Sequence, residues 1–438
     1  MRSLPAVNED PRLTRGRWSD AVHGALQGWL DALGGAQGAS GREGPAFAVF
    51  DADQTLWGGD LGEAALVEAL ERDAPFPELW RALPEVVVVP AQVGGGVVGR
   101  LFARARARQA LEAFAGEGGA GGASGAAARR LLLGTLLGLY RALEADPGPV
   151  RLDAERSIAA DAWVDPALRS FFGGEVGRSL GARIVDGRPI FAGVEGEGEA
   201  EAEAQAQARG RVGAFGQIAV WTGLGRSREA LAALAERTWG RFVGASTTIH
   251  APFPVDAADA GEPRSIRLDD DALTAPWSRR QGVGHGVVTF TVGLEPRPEM
   301  VELCAALVGR GVTPLVVSAS HEVLVATICE RRFGIAAAQV RGVRHEGGLL
   351  VGPMTGRGGK VEAFRGLVAG RGAPAGVRPL LCAGDSVGDL ELLAGAADLR
   401  LIFDRGQPAL QALVRAAAAA GDRRTLLQAP FEGASGGA

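Results

Sequence analysis

The sequence predicts an α/β chain: an open, doubly wound parallel sheet that carries a large, mainly helical insertion. Three observations predict it. Short apolar runs end abruptly in acidic or hydroxyl residues, as "AFAVFDADQT" does at 46–55 and "VTPLVVSAS" at 312–320. From residue 297 onward such runs alternate with amphipathic stretches of helical period. Between Asp60 and about residue 294 that alternation stops. Strands buried on both faces read as continuous apolar runs, and strand–helix alternation is what builds a parallel sheet.

The elements follow in order. Trp18, Val22, Leu26, Trp29 and Leu33 fall on one face of a helix, and a Gly-rich linker occupies 35–45. Ala46 to Phe50 is the first strand. The insertion, 60–294, is read as a cap domain of helical patterns interrupted by low-complexity stretches at 116–128 and 195–210, whose composition predicts solvated loops. The alternating pattern then returns. "RPEMVELCAALVGRG" is a helix with a Gly stop, "VTPLVVSAS" a strand and "HEVLVATICERRFG" a helix. "QVRGVRHEGGLLVG" reads as a hairpin turning at Gly347-Gly348, and "KVEAFRGLVAG" as a helix. "RPLLCAGDSVGDLELLAG" is strand, acidic loop and helix, "DLRLIFD" a last strand and 408–419 a last helix. The sheet domain is therefore discontinuous, 1–59 and 295–425, with a flexible tail expected at 426–438.

At 438 residues, 47% hydrophobic and 22% charged, the chain suits a soluble protein of two domains. A formal charge of −5 provides no electrostatic footprint for nucleic acid or anionic lipid, so neither is an expected partner. The longest apolar run, Leu131 to Tyr140, is far short of the roughly 20 residues that span a bilayer. Cys304, Cys329 and Cys382 show no paired spacing and read as free buried thiols in a reducing compartment. With no secretory signal evident in the polar first thirty residues, a cytoplasmic location is expected. The sequence sets no oligomeric state.

Four features carry chemistry. In "DADQT", Asp51 and Asp53 stand two residues apart at a strand end; in extended backbone both side chains point the same way. Two carboxylates that close stay ionised only if a cation lies between them; otherwise one holds a proton. One can then ligate a metal and attack while the other moves protons. An exposed acidic turn is the alternative, and the flanking core residues Phe50, Leu56 and Trp57 oppose it. In "GDSVGD", Asp385 and Asp389 straddle a helix start; a helix cap would explain Asp385 or Ser386 but not the pair. Ser318 ends "PLVVS", where it either caps the next helix or donates to a phosphate oxygen at that helix N-terminus. Lys360 is the only lysine in the chain; every other Lys/Arg position is arginine. A compact ammonium where a planar fork does not fit is one reading, and chance survival on a loop is the other. It is no nucleotide P-loop lysine, since Met354 and Val361 stand where Gly and Ser/Thr are required.

Together these features, in this order, resemble the haloacid dehalogenase (HAD) superfamily of phosphohydrolases: Asp51-x-Asp53-x-Thr55, Ser318, Lys360 and Gly384-Asp385-x-x-x-Asp389. "FDADQTLWGGDLGEA" and "VVSASHEVLV" are similar to its phosphoserine phosphatase-like and phosphorylcholine phosphatase-like members, which have a Rossmann-like core and place a C1 cap after the first motif. The resemblance implies a Mg2+-dependent phosphatase acting on a small phosphomonoester. Asp51 would be the nucleophile that becomes an aspartyl-phosphate, and Asp53 the general acid and then base. Thr55 would orient the loop or bond Asp53, and Ser318 and Lys360 would hold phosphoryl oxygens. Asp51, the Asp53 carbonyl and Asp385 would bind Mg2+, supported by Asp389. Asp60, followed by Glu63, matches the position at which phosphoserine phosphatases contact the substrate ammonium, and Trp57 beside it would offer an aromatic face; the alternative is that Asp60 caps a helix at Leu61 and Trp57 is hinge packing. A cationic head group such as phosphoserine, phosphorylcholine or phosphoethanolamine is thus expected. Phosphoryl transfer to an acceptor other than water, or a non-catalytic binding protein on the same fold, are the competing functions. Dehalogenation is opposed by Asp53, since displacing halide needs no acid.

Overall fold

The computed structural model describes residues 12–34, 44–73, 86–93, 96–103, 182–185, 188–191, 215–223, 225–254, 278–280, 283–346, 349–352, 355–356, 358–429 and 431. The low-complexity stretches at 116–128 and 195–210, and the turn at Gly347-Gly348, lie outside them.

Helix α1 (Asp20–Gly34) turns Val22, Leu26, Leu30 and Leu33 inward, as their spacing requires. Strand β1 (Ala46–Phe50) leads through the acidic loop to the two-residue strand β2 (Trp57–Gly58) and helix α2 (Leu61–Arg72). Hairpins β3/β4 (Val86–Val93, Gly96–Ala103) and β5/β6 (Ala182–Val185, Arg188–Phe191) follow. Next come helices α3 (Phe215–Gly223) and α4 (Arg228–Phe242). Strands β7 (Ser246–Pro254), β8 (Ser278–Arg280) and β9 (Val283–Gly293) form a sheet in the order β7-β9-β8. The described residues of the insertion therefore include three antiparallel sheets beside three helices, where a mainly helical cap was expected. Valine runs such as Val86–Val89 and Val97-Val98 favour the pleated state because β-branched side chains are stiff at χ1.

The chain leaves the insertion through β10 (Glu295–Pro296), which pairs antiparallel with β2. The way out of the sheet domain and the way back are thus tied together. There follow α5 (Pro298–Val308), β11 (Val312–His321), α6 (Glu322–Ile328), a π-helical turn at Cys329–Phe333, β12 (Val340–Val343) and the hairpin strands β13 (His345–Glu346) and β14 (Leu349–Leu350). Helix α7 (Gly358–Ala369), β15 (Leu381–Gly384), α8 (Leu390–Ala394), β16 (Leu399–Phe403), α9 (Pro408–Ala419) and β17 (Thr425–Gln428) complete the fold.

Six parallel strands form the central sheet in the order β12-β11-β1-β15-β16-β17. Residues 426–428 belong to its edge strand rather than to a tail, because alternate side chains there, Leu426 and Gln428, are buried. Beyond it Phe431 packs edge-on against Trp18 and Phe403. The period-two alternation of β1 sends Phe47 and Val49 into the core beneath α7, α8 and α9, while Ala48 and Phe50 join α1, α5 and α6 on the other face. Helices cover both faces, so the sheet is doubly wound and Rossmann-like. Full burial of each phenylalanine stabilises the fold by about 1.5–3 kcal/mol. The strand order reverses at β1, with β11 and β12 added on one side and β15, β16 and β17 on the other, and such a switch point opens a crevice at the carboxyl ends of the strands.

Candidate active site

That crevice collects the acidic motifs. Asp51 follows β1 immediately, and its amide continues the ladder by donating to the Ala383 carbonyl at 2.9 Å. The loop then folds back on itself: the amides of Thr55 and Leu56 donate to the Ala52 carbonyl at 3.2 and 2.8 Å, and Gln54 takes a left-handed φ of 59°. Arg297, buried just after β10, holds this turn by donating to the carbonyls of Gln54 and Thr55. Its guanidinium lies over the rings of Phe403 and Phe431, 4.6 and 5.3 Å from their centroids. Burial lowers its pKa to about 10, which leaves it charged at neutral pH.

Lys360 sits in the first turn of α7 and is 2% exposed. Its ammonium lies 2.7 Å from Asp51 Oδ1 and 2.6 Å from Asp389 Oδ1. Burial works against this charge, but the two carboxylates outweigh it and hold the pKa above the ordinary lysine range. The loop before α7 is tied to β11 through Thr355, whose buried hydroxyl donates to the Ser318 carbonyl. The second oxygen of Asp389 accepts from the Asp385 amide, the Ser386 amide and the Ser386 hydroxyl at 3.2, 3.0 and 2.9 Å. Asp389 is therefore both the anchor of Lys360 and the clasp of the loop after β15.

Asp385, at the end of β15, accepts from Arg405 Nη1 at 2.9 Å and from the Thr55 hydroxyl at 3.4 Å. Thr55 is thus directed to Asp385 and not to Asp53. Burial, then the neighbouring Asp389, raise the Asp385 pKa to about 6 against the pull of Arg405. Burial and Asp389 likewise push Asp51 well above the usual carboxylate range, opposed by Lys360.

One oxygen from each of Asp51, Asp385 and Asp389 lies within 4.8 Å of the others. Burial first, and then the mutual repulsion of three carboxylates of which Lys360 and Arg405 are the ion-paired cations among the described residues, raise the Asp51 and Asp385 pKa values. An all-oxygen carboxylate set of this kind fits Mg2+, which takes one or two carboxylates and fills its octahedron with substrate oxygens and water. Among the described residues this is the one group of three or more His, Cys, Asp or Glu side chains close enough to hold an ion.

The Asp53 carboxylate stands outside that cluster, with its own partners. Its Oδ1 accepts from the Trp57 indole N–H at 2.9 Å and the Leu61 amide at 2.8 Å. Its Oδ2 accepts from the Ser320 hydroxyl at 2.6 Å and the Ser318 hydroxyl at 3.4 Å. Ser318 is not at the strand end but inside β11, which runs on to His321 with an irregular register past Val317. Ser320 escaped the sequence reading, though the signal was present: residues two apart on a strand share a face. Arg297, Thr355 and Arg405 escaped it too, and nothing in their local sequence sets them apart from the chain's other polar residues.

The head-group residues divide. Trp57 is fully buried, its ring 5.8 Å from that of Trp239 and 5.9 Å from that of Phe333, so its faces are packed by protein. Asp60 caps α2, accepting from the Glu63 amide at 2.8 Å. It also stays near the site: a Cβ on Gly62 would lie 3.2 Å from Asp60 Oδ1 and 3.1 Å from Ser320 Oγ. Glu63 is buried in the first turn of α2.

Asp51, Ser318 and Asp385 thus stand around one crevice, and part of the chain matches a known family. Residues 290–394 match the haloacid dehalogenase-like hydrolase family. The HAD-like segment contains Ser318, Lys360, Asp385 and Asp389; Asp51 and Asp53 lie outside it, beyond the insertion, and the fold brings them back. No curated protein matches the chain in sequence. A similar solved structure, "The crystal structure of a conserved functionally unknown protein from Anaerococcus prevotii DSM 20548", is 16% identical with a TM-score of 0.54 and covers 96% of this chain and 97% of its own. That likeness concerns the fold. Among the described residues no helix is long and apolar enough to cross a membrane.

Proposed function

We propose that the protein is a Mg2+-dependent phosphomonoesterase that hydrolyses a small organic phosphate through an aspartyl-phosphate on Asp51. The observation that carries this reading is the Lys360 ammonium, fixed between Asp51 and Asp389 beside the three-carboxylate cluster. A dianionic phosphate is repelled by a bare carboxylate; a buried cation touching that carboxylate offsets the repulsion and offers a donor to the phosphoryl oxygens. Asp51, Asp385 and the Asp53 carbonyl would hold the Mg2+, with Asp389 in support; when bound, the ion neutralises charge developing on the phosphoryl oxygens.

The Asp51 Oδ1 atom is held by Lys360 and by the Ala52 amide at 2.8 Å, which orients its other oxygen for in-line attack on phosphorus. As the Asp51–phosphorus bond forms, the bond to the leaving oxygen breaks and that oxygen takes a proton from Asp53. Water then attacks the aspartyl-phosphate, returns a proton to Asp53 and releases phosphate and free Asp51. Ser318 supplies a further donor toward the phosphoryl group. Residues 60–294 act as a cap domain over this crevice, hinged at the β2–β10 pair.

The substrate class proposed is a phosphomonoester with a cationic head group: phosphoserine, phosphorylcholine or phosphoethanolamine. Asp60, half-buried next to Ser320, and buried Glu63 support it. The packed faces of Trp57 remove that residue from head-group recognition. Phosphate release from these three esters and from para-nitrophenyl phosphate, measured with Mg2+ and after chelation, tests the reading. No Mg2+-dependent release from any of the four overturns it.

A further inference from the structure

We propose that Trp57 is a positioning residue for the acid/base carboxylate, and that it determines which oxygen of Asp53 serves the leaving group. The argument is one of hydrogen-bond valence. An indole N–H and a backbone N–H only donate, so an oxygen that receives both remains an acceptor. In this protein that oxygen is Asp53 Oδ1, taken by Trp57 Nε1 at 2.9 Å and the Leu61 amide at 2.8 Å. Hydroxyls reverse: each donates or accepts as its neighbour demands. The partners of Asp53 Oδ2 are both hydroxyls, Ser320 at 2.6 Å and Ser318 at 3.4 Å. A proton on Asp53 therefore resides on Oδ2, with Ser320 turning to accept from it. When the ester bond breaks, the Oδ2–H bond gives its proton to the departing oxygen, and the Ser320 hydroxyl swings back to donate to the new carboxylate.

The indole is itself immobilised. Trp57 is fully buried, edge-on to Trp239 of α4 and tilted against Phe333 of the π-helical turn. One neighbour belongs to the insertion and the other to the sheet domain, so the donor that holds Asp53 is packed from both sides of the β2–β10 hinge. The ring contributes packing, while its N–H contributes orientation, and the two separate by substitution.

This inference rests on the phosphatase reading, and the experiment distinguishes the two. Trp57→Phe keeps an aromatic ring and removes the N–H; Ser320→Ala removes the reversible hydroxyl. Each is assayed on an alkyl phosphate, whose leaving group needs a proton, and on para-nitrophenyl phosphate, whose leaving group departs as the anion. Circular dichroism checks the fold. Both variants are expected to lower kcat/KM, which reports the steps through departure of the leaving group and not the later hydrolysis of the shared aspartyl-phosphate, by about tenfold or more on the alkyl ester, since a positioned general acid is worth roughly 10²–10⁴-fold, and to change kcat/KM on the aryl ester by less than about threefold. Equal losses on the two esters in folded variants overturn the inference while leaving the phosphatase reading intact. Should Trp57→Phe fail to fold, Ser320→Ala decides alone. A wild-type protein that releases phosphate from neither ester overturns the reading and the inference together.

Discussion

Replacing Lys360 with methionine removes the charge between Asp51 and Asp389 and keeps nearly all of the side-chain volume. The ammonium is 2% exposed and lies 2.7 and 2.6 Å from the two carboxylates. Breaking a buried ion pair by deleting one partner leaves the other charge uncompensated, at about 3–5 kcal/mol. Here two carboxylates lose their counter-ion, so the upper end of that range applies. At roughly 2–4 °C per kcal/mol the melting temperature should fall by roughly 10–20 °C. The loss should also depend on pH. Lys360 lowers the pKa of Asp51 in the folded protein, so its removal raises that pKa further above the unfolded value. A carboxyl group with a raised folded pKa destabilises the fold above that pKa, and the penalty fades as pH falls toward the unfolded value, about 4. The Lys360→Met variant should therefore lose more stability at pH 7.5 than at pH 5, both in the presence of chelator. Equilibrium denaturant melts of the two proteins at the two pH values measure the difference. A loss of equal size at both, or one of less than about 1 kcal/mol as for exposed pairs, refutes the reasoning.

The remaining expectations concern the site's chemistry. Asp51→Asn should reduce turnover on the order of 10³-fold or more with the fold retained, because an amide cannot attack phosphorus; more than a few per cent of wild-type rate assigns the nucleophile elsewhere. In chelator, the wild-type protein should lose stability as pH rises from about 4 through 6, the interval over which Asp385 ionises at a cost in the fold, and Mg2+ should restore it at pH 7.5; thermal melts without Mg2+ that do not fall across that interval contradict the assigned repulsion. Mg2+ should restore activity after chelation and Ca2+ should not, since Ca2+ takes more ligands in looser geometry; equal rates with both ions count against the in-line arrangement. Asp60→Asn keeps a good helix cap and loses the charge, so KM should rise far more for phosphorylcholine than for para-nitrophenyl phosphate; equal effects would leave Asp60 as a cap alone.

The alternation of apolar runs and amphipathic stretches made the six-stranded sheet largely legible, because strand and helix periods are local properties. The polar edge of the sheet was legible for the same reason: Asp51, Ser318 and Asp385 each stand where an apolar run gives way to polar residues. Lone Lys360 was marked by composition, and its burial between two carboxylates explains why a compact ammonium stands there. The insertion was less legible, since the backbone pairing of β3 with β4 and of β7 with β9 is announced by no helical or strand period by itself.

What the sequence determined by itself was therefore the kind of fold and the places where its apolar runs give way to polar residues. What only the tertiary structure decided was which polar group meets which. Thr55 turns to Asp385, Trp57 holds Asp53 by its indole edge, and Arg405, Arg297 and Ser320 enter from segments 20 to 267 residues away from the atoms they bind. The physical reason is the character of the two kinds of interaction. Apolar burial is non-directional and leaves a periodic trace along the chain, whereas a hydrogen bond between distant residues requires one distance and one angle, which exist only once the sheet, its switch point and the insertion have closed around the same crevice.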